Sequence, residues 1–170
     1  MTAVPPSRSR GVPTMVPGPL QRTFQAQLPA HWSYIEPIRE CLGKITALRF
    51  GDRTGERVRT ITQELLENGV KYGEMPGVVE IELAHSNRLF EIAVTNQAIP
   101  SRLQQLRKYL QEANDGPADV AFARAMERAA GLPNGRAMLG LVRMRVEAEA
   151  ELDCSVSDAT VRMMVRGRIV

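Results

Sequence analysis

The chain has 170 residues, of which 44% are hydrophobic and 24% charged, so it is long and apolar enough to form one globular domain. Its formal net charge is only +3, with many arginines near the two ends, so the sequence shows no basic stripe typical of nucleic-acid-binding proteins. There is no apolar run of about 18 residues and no secretory signal, and the two cysteines lie far apart, so we expect a cytoplasmic protein with no membrane or nucleic-acid partner.

The first segment in chain order, residues 1–21, contains five prolines among Ser, Gly and Arg. Such a composition buries too little apolar surface to offset the entropy lost on ordering. We therefore expect a disordered proline-rich tail over residues 1–21, followed by a single folded domain over residues 22–170.

The first half of the domain is predicted to be a strand followed by two helices. Apolar and polar residues alternate over 23–28, which indicates a half-buried strand ended by Pro29. Apolar residues at helical spacing then predict helices over 31–48 and 54–72, with Gly73 ending the second in the left-handed conformation. The predicted inner faces comprise Trp32, Ile35, Ile38, Leu42, Ile45 and Leu48 in the first helix, and Val58, Ile61, Leu65 and Gly69 in the second.

The second half is predicted to contain two hairpins separated by helices. The overall order is strand, two helices, two strands, helices, two strands. This order predicts an α+β fold, a two-layer sandwich in which helices pack on a mostly antiparallel sheet. The predicted elements are strands over 77–84 and 88–96, helices over 101–114, 118–130 and 139–150, and strands over 152–157 and 160–166.

The segment Gln63-Glu-Leu-Leu-Glu-Asn-Gly-Val-Lys-Tyr-Gly73 holds the residues best suited to chemistry. Glu64 and Asn68 lie one above the other on the predicted helix, and Lys71 follows along the same border of its apolar face. An amide oxygen can bind Mg²⁺ together with phosphates, and a carboxylate can orient or deprotonate a hydroxyl aimed at a phosphate. Taken alone, these residues are explained equally simply as a polar rim on a core helix.

This segment resembles the N-box of the GHKL superfamily, which contains histidine kinases, gyrase-type ATPases and anti-sigma-factor serine kinases. The order of elements over residues 22–168 is most similar to the last group. The resemblance implies the Bergerat (histidine-kinase-like ATPase) fold, with ATP and magnesium as cofactors. It further implies that Asn68 is the magnesium ligand, that Glu64 is the catalytic residue activating the acceptor hydroxyl, and that Lys71 belongs to the nucleotide site.

The adenine-binding box of the superfamily is altered in this chain. Where the pattern is D-x-G-x-G, the sequence has Asn96-Gln-Ala-Ile-Pro100. The resemblance places Asn96 in the nucleotide site, where it can accept one hydrogen bond from adenine, although more weakly than a carboxylate. Loss of the glycines restricts close approach of the backbone. A strand that simply leads into a helix at Pro100 explains the same residues.

The glycine-rich lid of the superfamily corresponds to Asn134-Gly-Arg-Ala-Met-Leu-Gly-Leu141. Gly135 and Gly140 match glycines of this box, and its backbone amides would hold phosphates. Met138 occupies a third glycine position and would crowd a phosphate, whereas Arg136 would compensate as a phosphate clamp. Gly135, Arg136 and Gly140 are therefore candidate nucleotide-binding residues.

Two functions of different class stay open. The helices over 101–130, with Asn96 in place of aspartate, resemble SiaB-type bacterial protein kinases, which act on STAS-domain partners. The first function is therefore a partner-switching serine/threonine protein kinase, which the retained Glu64 and Asn68 favour. The second is a GHKL domain without catalysis that docks to a STAS domain, a sigma factor or another signalling protein, which Asn96 and Met138 favour. Either function is compatible with a homodimer.

Overall fold

The computed structural model describes residues 18–131 and 139–170. Most of the predicted tail over 1–21 lies outside the described residues, and so do Gly135, Arg136 and Met138 of the predicted lid. In chain order the elements are β1 (Gln21–Pro29), a short 3-10 helix (Trp32–Tyr34), α1 (Ile35–Phe50), α2 (Asp52–Tyr72), β2 (Val78–His85), β3 (Leu89–Gln97), α3 (Pro100–Asn114), α4 (Ala118–Gly131), α5 (Leu139–Glu147), β4 (Ala150–Ser157) and β5 (Thr160–Arg168).

The five strands form one sheet in the order β1-β2-β3-β5-β4, and every neighbouring pair is antiparallel. Alternate residues of β2, β3 and β5 are buried, as expected of a sheet with helices on one face. The predicted fold class, an α+β two-layer sandwich on an antiparallel sheet, is therefore confirmed. Among the described residues, no helix combines the length and apolarity needed to cross a membrane.

Local sequence explains the two hairpin turns. Between β2 and β3, the hydroxyl of Ser86 accepts hydrogen bonds from the backbone N–H groups of Arg88, at 3.3 Å, and Leu89, at 3.0 Å. Between β4 and β5 the turn has two residues, and Asp158 adopts a positive φ of 53°, which aspartate tolerates better than most residues. The first turn sets the register of β2 against β3, and the second sets that of β4 against β5.

Helix α2 is the central helix of the layer that covers the sheet. Val58, Ile61 and Leu65 are fully buried, which confirms the predicted inner face of this helix. On one flank α2 approaches α1 closely at Gly55, where a Cβ atom would lie 2.7 Å from the Cβ of Ala47. The other flank faces α5. Helix α2 is therefore held on three sides, by the sheet, α1 and α5.

The prediction for the first helix is wrong at its two ends. Trp32 lies in the separate 3-10 helix and is 55% exposed, and Leu48 is 90% exposed. Leu42 is fully buried, and Leu48 lies six residues farther along α1. At about 100° per residue, six residues leave the two side chains about 120° apart around the helix. Leu48 therefore points away from the sheet.

The predicted left-handed conformation of Gly73 is also wrong. Gly73 has φ −71° and ψ 159°, which is extended backbone that any residue adopts. The chain leaves α2 directly into a bridge with Ala98, and the N–H of Glu74 donates to the carbonyl of Gln97 at 2.7 Å. A Cβ at Gly73 would overlap the carbonyl oxygen of Gly69. The carbonyl of the last turn of α2, and not a positive φ, is thus what requires glycine here.

Candidate functional site

Helix α5 lies antiparallel along the border of α2 that carries the predicted site. Glu64, in the middle of α2, contacts Arg143 in the middle of α5, whereas Arg57, earlier in α2, forms a 2.8 Å ion pair with Glu149, beyond the end of α5. The order of these two contacts is reversed between the helices. The polar border of α2 is therefore covered by residues that are far away in sequence.

Glu64 is a largely buried carboxylate with one cationic partner. Its Oε1 accepts a 3.1 Å hydrogen bond from Nη1 of Arg143, and its side chain is 13% exposed. Desolvation by burial raises the pKa of the Glu64 carboxyl, while the charge of Arg143 acts in the opposite direction. Arg143 also binds Glu147 on α5, at 3.1 Å, so one guanidinium serves two carboxylates.

The structure brings two predicted site residues together at the start of α5. The Oε2 of Glu64 lies so close to Gly140 that a Cβ at this glycine would overlap the carboxylate. Gly140 was matched to the glycine-rich lid and Glu64 to the N-box. Their contact shows that the two segments meet, and that the glycine is needed for close packing whether or not a phosphate binds there.

Asn68 lies one helical turn after Glu64. Its Nδ2 is buried and has no hydrogen-bond partner among the described residues. A buried amide left unpaired costs about 1–3 kcal/mol, so this atom is a position at which a partner from outside the described residues would be stabilising. A half-turn of the amide about its own axis would present Oδ1 at the same position, which is the atom a magnesium ion would need.

The donors near Asn68 fit a magnesium ion only if the nucleotide supplies most of the ligands. Across residues 18–131 and 139–170, no group of three or more His, Cys, Asp or Glu side chains could hold a metal ion. Magnesium commonly keeps several waters and binds proteins through one or two oxygens together with phosphates. A site of this kind is compatible with Asn68, but the chain alone does not form a metal centre from its described side chains.

Lys71 is exposed, and it forms no ion pair with a described residue. Its Nζ lies 5.4 Å from the centroid of the Tyr72 ring, in a cation–π arrangement. Its backbone carbonyl accepts a hydrogen bond from the guanidinium of Arg102 on α3. The hydroxyl of Tyr72 is buried, with no partner in the described part of the chain, and burial raises its pKa. Lys71 is thus available at the end of α2 but is directed at an aromatic ring.

Asn96, at the end of β3, has a structural task. Its Nδ2 donates to the carbonyl oxygens of Gly69, at 3.4 Å, and Gln97, at 3.2 Å. These bonds tie the end of β3 to the last turn of α2. An aspartate at this position has no hydrogen to donate to either carbonyl. The asparagine that departs from the superfamily pattern is therefore explained by the fold without reference to adenine.

Arg143 is the site residue that sequence reasoning missed. It is 79 positions from Glu64 in the chain, and its own neighbourhood shows only an ordinary i,i+4 pair with Glu147. No local pattern could have indicated its contact with Glu64. The signal that existed was indirect, since a half-buried carboxylate on α2 needs a partner from another element.

No protein-family model and no curated protein matches the chain. Among solved structures, the chain is similar to a chain of the crystal structure of the SiaB–SiaC complex from Pseudomonas aeruginosa. The TM-score is 0.65 and the sequence identity 16%, and the similarity covers 87% of this chain and 91% of that chain. At this identity the similarity establishes a shared fold over nearly the whole length of both chains.

Proposed function

We propose that this chain is a bacterial signalling regulator that acts by partner switching, binding a protein partner through a histidine-kinase-like ATPase scaffold of the GHKL type. The observation that carries the proposal is the similarity over 87% of this chain to a chain solved within the two-protein SiaB–SiaC complex. The resemblance to anti-sigma-factor kinases in the N-box supports the same class of function. A STAS-domain protein is the partner that best fits both, ahead of a sigma factor or another signalling protein.

The described geometry favours docking as the basic activity. Asn96 donates to two main-chain carbonyls, so its amide nitrogen already serves the fold. The Glu64 carboxylate is bound by Arg143 and covered by Gly140. Neither residue has to contact a nucleotide to explain its surroundings, and a scaffold of this size can bind a partner without one.

A second candidate function, a serine/threonine protein kinase, is supported by Glu64 and Asn68. The raised pKa of Glu64 suits a group that accepts a proton from an acceptor hydroxyl. The unpartnered Nδ2 of Asn68 marks a buried polar position that awaits a ligand. When bound, magnesium would neutralise phosphate charge. In such a kinase, Arg143 would have to release Glu64 before the carboxylate could take up the proton.

The partner proposal is tested with purified proteins. The chain is mixed in turn with each STAS-domain protein and each sigma factor of the same genome, and each mixture is examined by size-exclusion chromatography with light scattering. We expect one mixture to give a stable complex of defined stoichiometry. Absence of a complex from every mixture, with and without Mg-ATP, would contradict the proposal.

The two candidates are separated by a titration with Mg-ATP followed by thermal shift and calorimetry. A site filled at a hundred times its dissociation constant stabilises a fold by about 2.7 kcal/mol. For a kinase we expect this shift in the wild type and its loss in Asn68→Ala, while Glu64→Gln keeps binding and loses phosphoryl transfer. A wild type that shows no shift at millimolar Mg-ATP eliminates the kinase and leaves the docking regulator.

A further inference from the structure

A groove of about 350 Å³ lies between helix α3 and strand β4, away from Glu64 and Asn68. Helix α3 contributes Arg107, Leu110 and Asn114, and β4 contributes Leu152, Cys154 and Val156. Leu110 and Leu152 are buried at its floor, while Cys154 and Val156 are half-buried. The groove therefore has an apolar base, one helical wall and one wall made by a strand.

That strand is the edge of the sheet, because β4 pairs only with β5 among the described strands. Ser157 and Thr160 flank a two-residue turn and so form a hydrogen-bonded pair. Counting back by twos, Ser155 and Asp153 also bond to β5. The backbone N–H and C=O groups of Leu152, Cys154 and Val156 consequently point outward along the groove.

Two side chains partly shield this edge. The carbonyl of Leu152 accepts a 3.4 Å hydrogen bond from Nδ2 of Asn114, and the N–H of Cys154 donates to Oδ1 of Asp153 at 2.8 Å. Both bonds confirm that these backbone groups face outward. Shielding by flexible side chains protects a sheet edge against unwanted pairing, and a strand from a partner can replace it.

The charges at the groove select the kind of strand. Arg107 forms no ion pair within the described part of the chain, and its charge acts on the thiol of Cys154. The carboxylate of Asp153 is already engaged with the N–H of Cys154. Asp153 also lines the groove, but its side chain alternates to the opposite face of β4 from Cys154. On the α3 side, the guanidinium of Arg107 thus lies beside an apolar floor without an ion pair to a described residue, and a carboxylate there would complement it.

We infer that this groove binds an extended peptide segment as a sixth strand, with an acidic side chain on Arg107 and, two residues away on the same face of that strand, an apolar side chain against Leu110. Backbone hydrogen bonds to Cys154 and Val156 give affinity, and the pocket beside α3 gives specificity. The inference is independent of nucleotide binding and of the STAS-type partner, since it uses neither Glu64 nor Asn68.

The test uses an immobilised array of nonapeptides in which Val and Thr alternate and the central residue is Glu, together with a matched array in which it is Lys. We expect the full-length chain to bind Glu peptides at least tenfold more tightly than Lys peptides. In Arg107→Glu the preference should reverse. Backbone NMR shifts during titration with the strongest Glu peptide should cluster on α3 and β4.

The backbone contribution is tested with Val156→Pro, which removes one outward N–H at an edge position where proline is tolerated. Val156→Thr keeps the N–H and serves as the matched control. We expect at least a tenfold loss of binding in the first variant and little change in the second. If Val156→Pro does not fold, the inference is still tested by the peptide preference of Arg107→Glu, which changes an exposed residue.

Three results would overturn the inference. The first is that no Glu peptide binds at millimolar concentration. The second is equal binding of Glu and Lys peptides by the wild type, or a preference that Arg107→Glu leaves unchanged. The third is a concentration-dependent dimer that Val156→Pro abolishes, since a second copy of β4 would then occupy the edge. None of these results affects complex formation with a STAS-domain protein.

Discussion

Asn96 illustrates at the scale of one residue how a fold can account for a departure from a superfamily pattern. Its amide donates to the carbonyls of Gly69 and Gln97. We expect Asn96→Asp to lower the free energy of unfolding by about 1–3 kcal/mol, because both donor hydrogens are lost and a carboxylate is buried beside carbonyl oxygens. Urea denaturation measures the change.

The same variant separates the structural role of Asn96 from adenine binding. Asn96→Asp restores the acidic residue of the adenine-binding box, so it would strengthen a Mg-ATP thermal shift if the residue faced adenine. We expect no such gain. An Asn96→Asp protein that is as stable as the wild type and binds Mg-ATP more tightly would contradict the structural explanation.

His85 is a buried histidine that joins three elements. Its Nδ1 lies 3.0 Å from the hydroxyl of Thr23 on β1, and its Nε2 lies 3.3 Å from that of Thr46 on α1. Burial, together with the charge of Arg49, lowers the pKa of His85 to about 4. The ring is therefore neutral in the folded protein under conditions in which an unfolded chain would already be protonated.

This pKa predicts a loss of stability in mild acid. Between pH 6.5 and about 4 the unfolded state binds a proton that the folded state does not, so stability falls as pH falls through this window. We expect a loss on the order of 1–3 kcal/mol between pH 7 and pH 4.5. The measurement is urea unfolding at several pH values. His85→Gln is the control, and an equal pH slope in both proteins would exclude His85 as the cause.

At the scale of elements, the packing of α5 on α2 depends on the contact between Gly140 and Glu64. A methyl group on residue 140 would overlap the carboxylate, which must then rotate away from Arg143. We expect Gly140→Ala to destabilise the protein by about 1 kcal/mol, despite the higher helix propensity of alanine.

A double-mutant cycle measures this coupling. With Glu64→Ala in place the overlap disappears, and we expect Gly140→Ala to become neutral or to stabilise by up to about 1 kcal/mol. The coupling energy should therefore be about 1 kcal/mol or more. If the two changes add to within about 0.5 kcal/mol in urea denaturation, the helices do not meet at these residues.

The elements themselves were largely predictable from the sequence, and their contacts were not. Which face of an element is buried can be inferred from its own sequence. This holds for the alternation in β2, β3 and β5, and for the spacing of Val58, Ile61 and Leu65 on α2. Leu48 was misplaced because two successive steps of three residues, from Leu42 to Ile45 and on to Leu48, leave its side chain about 120° away from that of Leu42. The strand order β1-β2-β3-β5-β4 depends on long-range pairing, for which a single sequence gives no direct signal.

In the candidate site, too, the local arrangement of residues was predictable and the long-range contacts were not. The proximity of Glu64 and Asn68 follows from their spacing of four residues on one helix. The ion pair with Arg143 and the two bonds of the Asn96 amide join elements that are distant in the chain. These contacts decide the chemical state of both residues. The sequence could therefore predict that Glu64 and Asn68 lie side by side, but not which of the candidate residues are engaged by the fold.

At the scale of the whole molecule, the face of the sheet opposite the helices is held by charges. Glu82 on β2 forms ion pairs with Arg22 on β1, at 3.3 Å, and with Arg162 on β5, at 2.6 Å. Arg162 also donates to the hydroxyl of Thr95 on β3. One carboxylate that is 15% exposed thus links four strands. An ionic surface of this kind does not offer the apolar centre typical of a stable protein interface.

The ionic network predicts a salt-sensitive contribution to the stability of the sheet. We expect Glu82→Gln to lower the free energy of unfolding by on the order of 1 kcal/mol, because Arg22 on β1 and Arg162 on β5 both lose the carboxylate that they share. The wild type should lose part of this contribution as NaCl rises from 0.05 to about 0.5 M, since screening weakens partly exposed pairs. Glu82→Gln should respond less to salt, and thermal melts at both concentrations measure the difference.

Glu127→Gln, which changes an exposed residue on α4, is the matched control and should leave the salt response unchanged. If wild type and Glu82→Gln respond equally to salt, the ion pairs of Glu82 do not contribute to the stability of the sheet, which is then held by backbone pairing and its buried face.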